Sequence, residues 1–529
     1  MRSFHLPGRS AVHGMNGAAA TSHPSATLAA IDTLRAGGNA VDAAVAAAAV
    51  LAVVEPASTG VGGDVFALIC KGGQGDVIGY NGSGRAPAGL SLETFKAAGL
   101  KEVPATSPHA VTIPGAIEAW QRLVTDHGSR SLGENLAPAI AFAQDGFAVT
   151  PRIQQDWSSS VGKLSGNAAS TRLFLPHGRA PELGEVHRQP ELAQTLRTIA
   201  KSGAKGFYEG AVAEDIVGAL RALGGTHQLE DFATHTGKYV TPISTEYRGH
   251  RCFQIPPNGH GITALILLNL LEGFEMSRYA PLSADRLHLY AEATKIAFGL
   301  RDRYVADPDH AEAPIAALLD KAQAAKWRNR ISLQKASAGG WADDCAVHKD
   351  TIYLTVVDKD RNVCSFINSL FAGFGSGISA PRAGVILQNR GCGFSLVEGH
   401  PNMVAPRKRP LHTIIPGMAQ RDGRVLASYG VMGGHFQPVG HAWVLGNIID
   451  YGCDPQEAID MPRAFFVEDS YGLEEGIPED AAKELARRGH PVNRVSGPWG
   501  GGQMIKLDWQ RGTLIAGSDP RKDGCALAY

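Results

Sequence analysis

The sequence predicts an α+β protein. Helical periodicity fills most of residues 107–330, whereas the region after residue 350 opens with two runs of β-branched and aromatic residues around a polar turn. At 529 residues the chain exceeds the roughly 100 to 200 residues of one domain. Several domains or one large sandwich are therefore expected.

Helices and paired strands are predicted before the centre of the chain. Helical patterns at Ser25–Ala36 and Ala40–Val54 end at a glycine pair and a Glu-Pro step, which stop helices. The runs Val65–Cys70 and Asp76–Tyr80 are bounded by glycines and predict paired strands. Further helices are predicted at Gln189–Lys201, Ala211–Leu223, Ile262–Phe274 and Asp285–Tyr304.

A linker and a hairpin are predicted next. Ser332–Lys349 is rich in glycine, small residues and charges without a sustained period, as in an exposed linker. A strand at Thr351–Asp358, a turn at Lys359–Asn362 and a strand at Val363–Asn368 follow.

The register of this hairpin brings two hydroxyl groups together. If the turn is centred on Asp360, Thr351 and Ser369 stand at equal separation on either side and face each other. Directly opposed residues have Cβ atoms about 4.5 to 5.5 Å apart. A serine hydroxyl would then lie beside the threonine.

Thr351 has the chemistry of a nucleophile if the chain is cut before it. A threonine hydroxyl is weak until a base takes its proton, and a free α-amino group with a pKa of roughly 7.7 to 8.0 is such a base. By itself, a threonine at the start of a strand is more often a β-favouring residue. Other segments of the sequence must therefore distinguish a nucleophile from an ordinary strand residue.

Composition excludes several classes of partner. The formal net charge is -1, and the longest basic cluster is Arg407–Arg409, so neither nucleic acid nor an anionic membrane is an expected partner. Hydrophobic residues make up 44% and charged residues 19%, as in a compact globular enzyme. A small molecule is the expected substrate.

No metal, cofactor or export signal is predicted. The seven cysteines are scattered and never form a C-x-x-C pair, which argues against disulfides and zinc. Gly60–Asp64 lacks the spacing of a dinucleotide loop. The N-terminus has no secretory apolar run, and the apolar segment Ala40–Val54 is too short to span a bilayer. A cytoplasmic location is expected.

The segment from Asp350 to Asn362, with Thr351, Tyr353, Thr355 and Asp358, resembles the processing site of the gamma-glutamyltransferase (gamma-glutamyltranspeptidase) family. The resemblance covers nearly the whole chain. Several matches in one order are more specific than any one of them. The other matching segments are Ala40–Ala44, Glu55–Asp64, Lys408–Leu411, Gly433-Gly434, Ala458–Arg463 and Gly517–Arg521.

The resemblance implies an N-terminal-nucleophile hydrolase with an αββα sandwich. Cleavage between Asp350 and Thr351 would give a large subunit, 1–350, and a small catalytic subunit, 351–529. These would remain together as a heterodimer, with a further dimerisation left open. Thr351 Oγ would attack the Asp350 carbonyl, an N-to-O acyl shift would form an ester, and water would complete the cut; the same hydroxyl would then attack substrate.

The resemblance also implies roles for three further residues. Ser369 matches the second hydroxyl, which holds the new amine, in agreement with the hairpin register. Gly433 and Gly434 match the oxyanion hole, where backbone N–H groups face the oxygen that gains charge.

The sequence departs from the family where the substrate ammonium group would bind. Gly393 occupies the position of an acidic residue, and Arg390 stands where an uncharged amide is expected. A guanidinium facing an ammonium group is an unfavourable pairing.

A second departure favours a carboxylate-bearing substrate. His412 and Thr413 replace the family's paired serines, and Arg85 lies two residues beyond the position of its carboxylate-binding arginine. A carboxylate could be held by Arg85, Arg390 and His412, because a guanidinium fork binds it bidentately. These changes resemble the subgroup of oxamate amidohydrolases and acylases for short dicarboxylic side chains.

Three functional hypotheses follow. The first is a self-processing amidohydrolase acting on a small carboxylate-bearing amide of the oxamate type. The second is a gamma-glutamyl hydrolase or transferase acting on glutathione, and Gly393 opposes it. The third is a non-catalytic relative that keeps the sandwich as a binding module, and the intact Thr351, Ser369 and Gly433-Gly434 set opposes it.

Overall fold

A computed structural model describes His5 and residues 8–338, 351–467 and 469–529. Asp350 and most of the linker predicted at Ser332–Lys349 lie outside the described residues. Thr351 is the first described residue after this gap.

Helices form about half of the chain before residue 330. They are α1 Pro24–Arg35, α2 Ala40–Val54, α3 Leu92–Ala97, α4 Ala116–His127, α5 Leu132–Asp145, α6 Pro151–Ser158, α7 Val161–Ser165, α8 Ala168–Phe174, α9 Pro190–Ser202, α10 Lys205–Tyr208, α11 Ala211–Ala222, α12 Leu229–Ala233, α13 Gly261–Leu271, α14 Ala284–Tyr304, α15 Ile315–Leu319 and α16 Lys321–Arg328. Later helices are α17 Gln437–Ile449, α18 Pro455–Asp460 and α19 Glu479–Arg487.

Strands occur at both ends and in the middle of the chain. They are β1 Val12–Gly14, β2 Ala18–Thr21, β3 Asp64–Cys70, β4 Val77–Gly82, β5 Phe147–Ala148, β6 Val186–His187, β7 Lys238–Val240, β8 Ile243–Tyr247, β9 His250–Gln254, β10 Ile352–Val357, β11 Val363–Ser369, β12 Ser379–Ala380, β13 Val385–Ile386, β14 Gly417–Arg421, β15 Arg424–Met432, β16 Ala464–Val467, β17 Ser470–Leu473, β18 Val492–Arg494, β19 Gly501–Asp508, β20 Thr513–Ser518 and β21 Cys525–Ala528.

Two antiparallel seven-stranded sheets form the centre of the molecule. Sheet I has the order β21-β2-β10-β11-β3-β4-β7, and sheet II the order β1-β20-β19-β15-β14-β9-β8. Apolar side chains fill three spaces: between sheet I and α1, α2, α4 and α5; between the sheets; and between sheet II and α13, α14 and α17. This is the expected αββα sandwich.

The structure confirms the predicted elements to within a few residues at their ends. The helices predicted at Ala40–Val54 and Asp285–Tyr304 are α2 and α14, and the predicted hairpin is β10 and β11. The largely helical interpretation of residues 107–330 overlooked the short strands β5 to β9, of which β7 lies at the edge of sheet I, β8 at the edge of sheet II and β9 beside β8. Their short sequences alternate only weakly, and pairing with distant strands determines their conformation.

The segments on either side of Thr351 are interleaved in both sheets. In sheet I, β10 pairs with β2 and β11 pairs with β3, so two strands from after residue 350 lie between strands from before it. In sheet II, β14 pairs with β9, and β20 pairs with β1. A cut before Thr351 would therefore leave two fragments that share both sheets.

None of the described helices combines the length and the apolarity needed to cross a membrane.

The contact between the sheets is tight at Gly430. A Cβ atom on Gly430 would lie 2.5 Å from the ring of Tyr353, which is fully buried. We expect Gly430→Ala to lower the free energy of unfolding by about 1–3 kcal/mol, because overpacking displaces the ring or the strand. Chemical denaturation monitored by tryptophan fluorescence measures the change.

Gly218→Ala is the matched control. Gly218 lies on the exposed side of α11, and apart from the backbone of α11 itself no described atom lies within 4 Å of its added Cβ. Alanine there should raise the free energy of unfolding by about 0.5–1 kcal/mol, since it favours the helix. Equal stability of the Gly430→Ala variant and the parent protein would contradict the packing of Tyr353 against β15.

Candidate active site

Thr351 immediately precedes β10 and faces Ser369 at the end of β11. The hairpin pairs Ile352 with Asn368 and Val357 with Val363, which confirms the predicted register. Thr351 Oγ1 lies 2.9 Å from Ser369 Oγ, and both residues are buried. The two hydroxyl groups therefore form a hydrogen-bonded pair.

A glycine-rich loop supports Ser369 from behind. A Cβ atom on Gly63 would lie 2.3 Å from the carbonyl oxygen of Ser369, and one on Gly62 would lie 2.1 Å from that of Ile386. Only glycine permits this approach of two backbones. Ser369 Oγ also accepts a hydrogen bond of 2.8 Å from the Phe371 N–H. The serine is thus fixed by its own strand and by the loop.

Arg390 is a fully buried cation beside this pair. Its Nη1 donates to Thr413 Oγ1 at 2.7 Å, and its Nη2 lies 3.4 Å from Ser369 Oγ. The guanidinium carbon lies 4.1 Å from the centre of the Phe371 ring. Among the described residues no carboxylate oxygen lies within 4.0 Å of Arg390, and its Nε has no hydrogen-bond partner. Burial lowers the pKa of Arg390 to about 9, so it is protonated at neutral pH.

Asp64 supplies a buried negative charge near Arg390. Its Oδ1 accepts hydrogen bonds from the N–H groups of Gly84 at 3.1 Å and Gly115 at 3.0 Å and from Gln388 Nε2 at 2.9 Å. Its Oδ2 accepts one from His412 Nε2 at 3.0 Å. Burial alone would raise the pKa of Asp64, but the hydrogen bond from His412 and nearby positive charge outweigh it and lower the pKa. Asp64 is therefore ionised.

His412 is neutral in this arrangement. Burial and the charge of Arg390 lower the pKa of His412 to about 4, despite its hydrogen bond to Asp64. The Ile414 N–H approaches His412 Nδ1 at 3.4 Å, which is consistent with a proton on Nε2 only. Since that N–H is donated to Asp64, a direct bond from His412 to a substrate would require the ring to leave Asp64.

The glycine pair predicted as an oxyanion hole lies between β15 and α17. Gly433 and Gly434 have φ angles of 122° and 57°, which side-chain-bearing residues rarely adopt. Thr355 Oγ1 lies 2.6 Å from Ser428 Oγ, and Tyr353 packs on Gly430, two residues further along β15. Continued by two more residues, this step would bring Thr351 to the level of Met432, and a role of the glycine pair as oxyanion hole stays a prediction.

Arg85 lies in a separate ion-pair network. Its Nη2 is 2.7 Å from Asp309 Oδ2, its Nη1 is 3.4 Å from Asp307 Oδ2, and Nη1 also donates to the Arg407 carbonyl at 2.9 Å. The structure thus brings together Thr351, Ser369, Arg390 and Thr413, with His412 behind them, but pairs Arg85 with two aspartates. A contact of Arg85 with substrate stays a prediction.

Sequence reasoning did not assign a role to Asp64, Gln388 or Phe371. A carboxylate directly after a Gly-Val-Gly-Gly run and at the start of an apolar strand was the available signal for Asp64. Gln388 and Phe371 have no comparable signal, because their roles depend on contacts with Asp64 and Arg390.

Removal of the Ser369 hydroxyl tests the pair directly. Ser369→Ala removes the hydroxyl that accepts a hydrogen bond from the buried Phe371 N–H, so the free energy of unfolding should fall by about 1–3 kcal/mol. It also removes the hydroxyl that lies 2.9 Å from Thr351 Oγ1, so cleavage before Thr351 should slow. Denaturing electrophoresis of timed samples measures this.

Ser365→Ala is the control on the same strand. Ser365 Oγ is buried, lies 2.7 Å from the Tyr353 hydroxyl and donates to the Gly417 carbonyl at 3.0 Å. This variant should lose stability without slower cleavage. Equal cleavage rates in both variants would contradict a specific role of Ser369.

Comparisons with known proteins agree with this geometry. A family model described as Gamma-glutamyltranspeptidase matches residues 26–529. The chain is 37% identical over 502 residues to a glutathione hydrolase-like YwrD proenzyme of Bacillus subtilis, covering 93% of this chain and 94% of that protein. It is 34% identical over 533 residues to an oxamate amidohydrolase proenzyme of Klebsiella pneumoniae, covering 98% of each.

A solved structure shares the whole architecture. The cephalosporin acylase from Bacillus halodurans superposes with a TM-score of 0.93 at 40% identity, covering 100% of this chain and 99% of that one. Together with the family match, this similarity shows that the chain belongs to the gamma-glutamyltranspeptidase family of N-terminal-nucleophile amidohydrolases.

Proposed function

We propose that the protein cuts itself between Asp350 and Thr351 and then hydrolyses the amide of a small substrate that carries a carboxylate close to the scissile bond. Thr351 Oγ1 forms the acyl intermediate, its freed amine is the base, and Ser369 positions both. The N–H groups of Gly433 and Gly434 stabilise the oxyanion. The resulting fragments, 1–350 and 351–529, form the catalytic heterodimer.

The burial and charge of Arg390 are the main support for a carboxylate-bearing substrate. A buried guanidinium with no carboxylate within ion-pair distance among the described residues is electrostatically incomplete. A substrate carboxylate would complete it, whereas a substrate ammonium group would be repelled. Thr413 Oγ1, at 2.7 Å from Nη1, holds the guanidinium in place.

The spacing of the groups favours a short substrate. Thr351 Oγ1 and Arg390 Nη2 both contact Ser369 Oγ, at 2.9 and 3.4 Å, and so are no further apart than the sum of these distances. A substrate whose carboxylate binds Arg390 and whose amide carbonyl carbon lies near Thr351 must therefore have few atoms between these two groups. Oxamate has this form, and the oxamate amidohydrolase relative supports the choice.

Gly393 supports the same proposal, because it argues against a gamma-glutamyl substrate. A Cβ atom on Gly393 would lie 2.7 Å from the carbonyl oxygen of Leu411, and Asn402 connects the two backbones through hydrogen bonds to both residues. An acidic side chain therefore cannot be added there without moving the backbone. An acidic side chain that could pair with a gamma-glutamyl ammonium group is therefore absent from this position.

Thr351 variants test self-processing. Thr351→Ala should remain one uncut, inactive chain, because no hydroxyl is present to attack the Asp350 carbonyl. Thr351→Ser should be cut and turn over more slowly, because the hydroxyl remains but the methyl group that positions it is lost. Intact-mass spectrometry under denaturing conditions distinguishes these products.

Thr355→Ala provides the control, since Thr355 lies on the same strand and is buried against Ser428. It should be cut like the parent protein. Cleavage of Thr351→Ala at the same bond would overturn the assignment of the nucleophile.

Arg390→Gln tests the substrate class. The kcat/KM for oxamate should fall about 10- to 100-fold, since a hydrogen bond to a charged group contributes about 1.5–3 kcal/mol. Arg511→Gln, an exposed arginine paired with Asp508, should leave it unchanged. The assay requires cut protein, verified by mass, because Arg390 also approaches Ser369. An unchanged kcat/KM in cut Arg390→Gln would contradict the proposal.

Glutathione hydrolysis is the second candidate, favoured by the glutathione hydrolase-like relative. A chromogenic gamma-glutamyl anilide, compared with oxamate and a glutaryl amide, separates the two functions. Strong turnover of the anilide alone would remove the oxamate proposal. A parent chain that is never cut would favour the non-catalytic binding module.

A further inference from the structure

A second cluster of chemically active side chains lies outside the Thr351 site. His288 and Glu292 are one turn apart on α14, and His490 lies in the turn between α19 and β18. One potential ligand atom from each residue lies within 4.8 Å of the others, and all three residues are buried. We propose that His288, Glu292 and His490 bind a zinc ion that joins the segments before and after Thr351.

The donor set and the orientation of His288 fit zinc. Two imidazoles and one carboxylate form a common three-residue zinc set that leaves a fourth position for water. His288 Nε2 donates to the Ser332 carbonyl at 2.6 Å, which leaves a lone pair on Nδ1, directed at His490 Nε2 2.7 Å away. A metal-bound histidine typically donates its other N–H to a carbonyl in this way.

His490 is the ligand that must adjust. Without a cation, its Nε2–H donates to His288 Nδ1, and its own buried Nδ1 has no hydrogen-bond partner. With zinc bound, the proton resides on Nδ1 and the Nε2 lone pair is free to coordinate. Because zinc–nitrogen bonds are about 2.0–2.1 Å long, the two nitrogens must separate by roughly 0.6 Å. His490 lies in a turn, where such a shift is easier than in a helix.

The charges around the cluster permit a cation. Both rings are buried, and an imidazole coordinates zinc in its neutral form. Lys295 Nζ lies 2.8 Å from Glu292 Oε1, but it also donates to the Ser337 carbonyl at 2.9 Å. Each carboxylate oxygen has a second lone pair, so Lys295 and zinc can share Glu292.

The remaining nearby cation is already paired. Arg488 donates to Asp285 at 2.6 Å and to Glu484 at 2.9 Å. His288 and Arg488 line a cavity of about 260 Å³ together with Tyr279 and Gln334, which provides a path for an ion.

Zinc at this position would link parts of the chain that a cut separates. His288 and Glu292 precede Thr351, and His490 follows it. The same residues hold the chain shortly before the cut, since His288 donates to Ser332 and the Ser337 N–H donates 3.0 Å to Glu292 Oε2. A bound ion would therefore stabilise the association of the two fragments.

Zinc titration of the metal-stripped full-length protein by isothermal calorimetry tests the proposal. One zinc ion should bind per chain, and His288→Ala and His490→Ala should each weaken binding by roughly 100-fold. Glu292→Gln, which keeps the size of the side chain, should also weaken it. His177→Ala is the control, because its side chain is 65% exposed and outside the cluster.

A second test measures the thermal stability of the protein instead of zinc binding. Zinc in large excess should raise the melting temperature of the parent protein and not that of folded His490→Ala. Cobalt(II) should give a tetrahedral visible spectrum only in the parent and control proteins. Absence of stoichiometric binding by the parent protein, or equal zinc affinity in all variants, would overturn the site. Neither measurement depends on turnover, so its failure would leave the proposed hydrolase function untouched.

Discussion

The register of the hairpin formed by β10 and β11 is the constraint on which the site depends. A slip by one residue would turn every side chain of β10 to the opposite face of the sheet. In the observed register, Thr351 meets Ser369, Tyr353 packs on Gly430, and Thr355 contacts Ser428. The turn fixes this register, because Asp358 Oδ1 accepts hydrogen bonds from the N–H groups of Asp360 and Asn362.

Local sequence was sufficient to predict this hairpin and the principal helices. The polar turn around Asp360 separates two apolar runs, and the register follows once the centre of the turn is known. Helices such as α2 and α14 can be predicted because their helical patterns are long and their ends are clearly marked. The resemblance to a family added the sandwich and the catalytic roles, neither of which periodicity alone supplies.

Long-range contacts account for what the sequence did not predict. The charge of Arg390 was evident, but its burial and its lack of a close carboxylate among the described residues depend on the packing of the segments around Ser369 and Thr413 against it. Likewise, His412 was predicted to hold substrate, whereas its bond to Asp64 crosses more than 300 residues of sequence. The histidines at 288 and 490 have no ligand spacing, since they are 202 positions apart.

The interleaving of the strands sets the order of folding and the proposed self-cleavage. Because β10 and β11 lie between β2 and β3, the Thr351 site is assembled only when strands from both halves of the chain have paired. Under the proposed self-cleavage before Thr351, folding therefore precedes cutting. Once the peptide bond is broken, refolding from separated fragments becomes a bimolecular reaction between chains with unpaired strand edges, which favour aggregation. The cut protein would then be kinetically trapped in its native state, because its separated fragments could no longer fold as one chain.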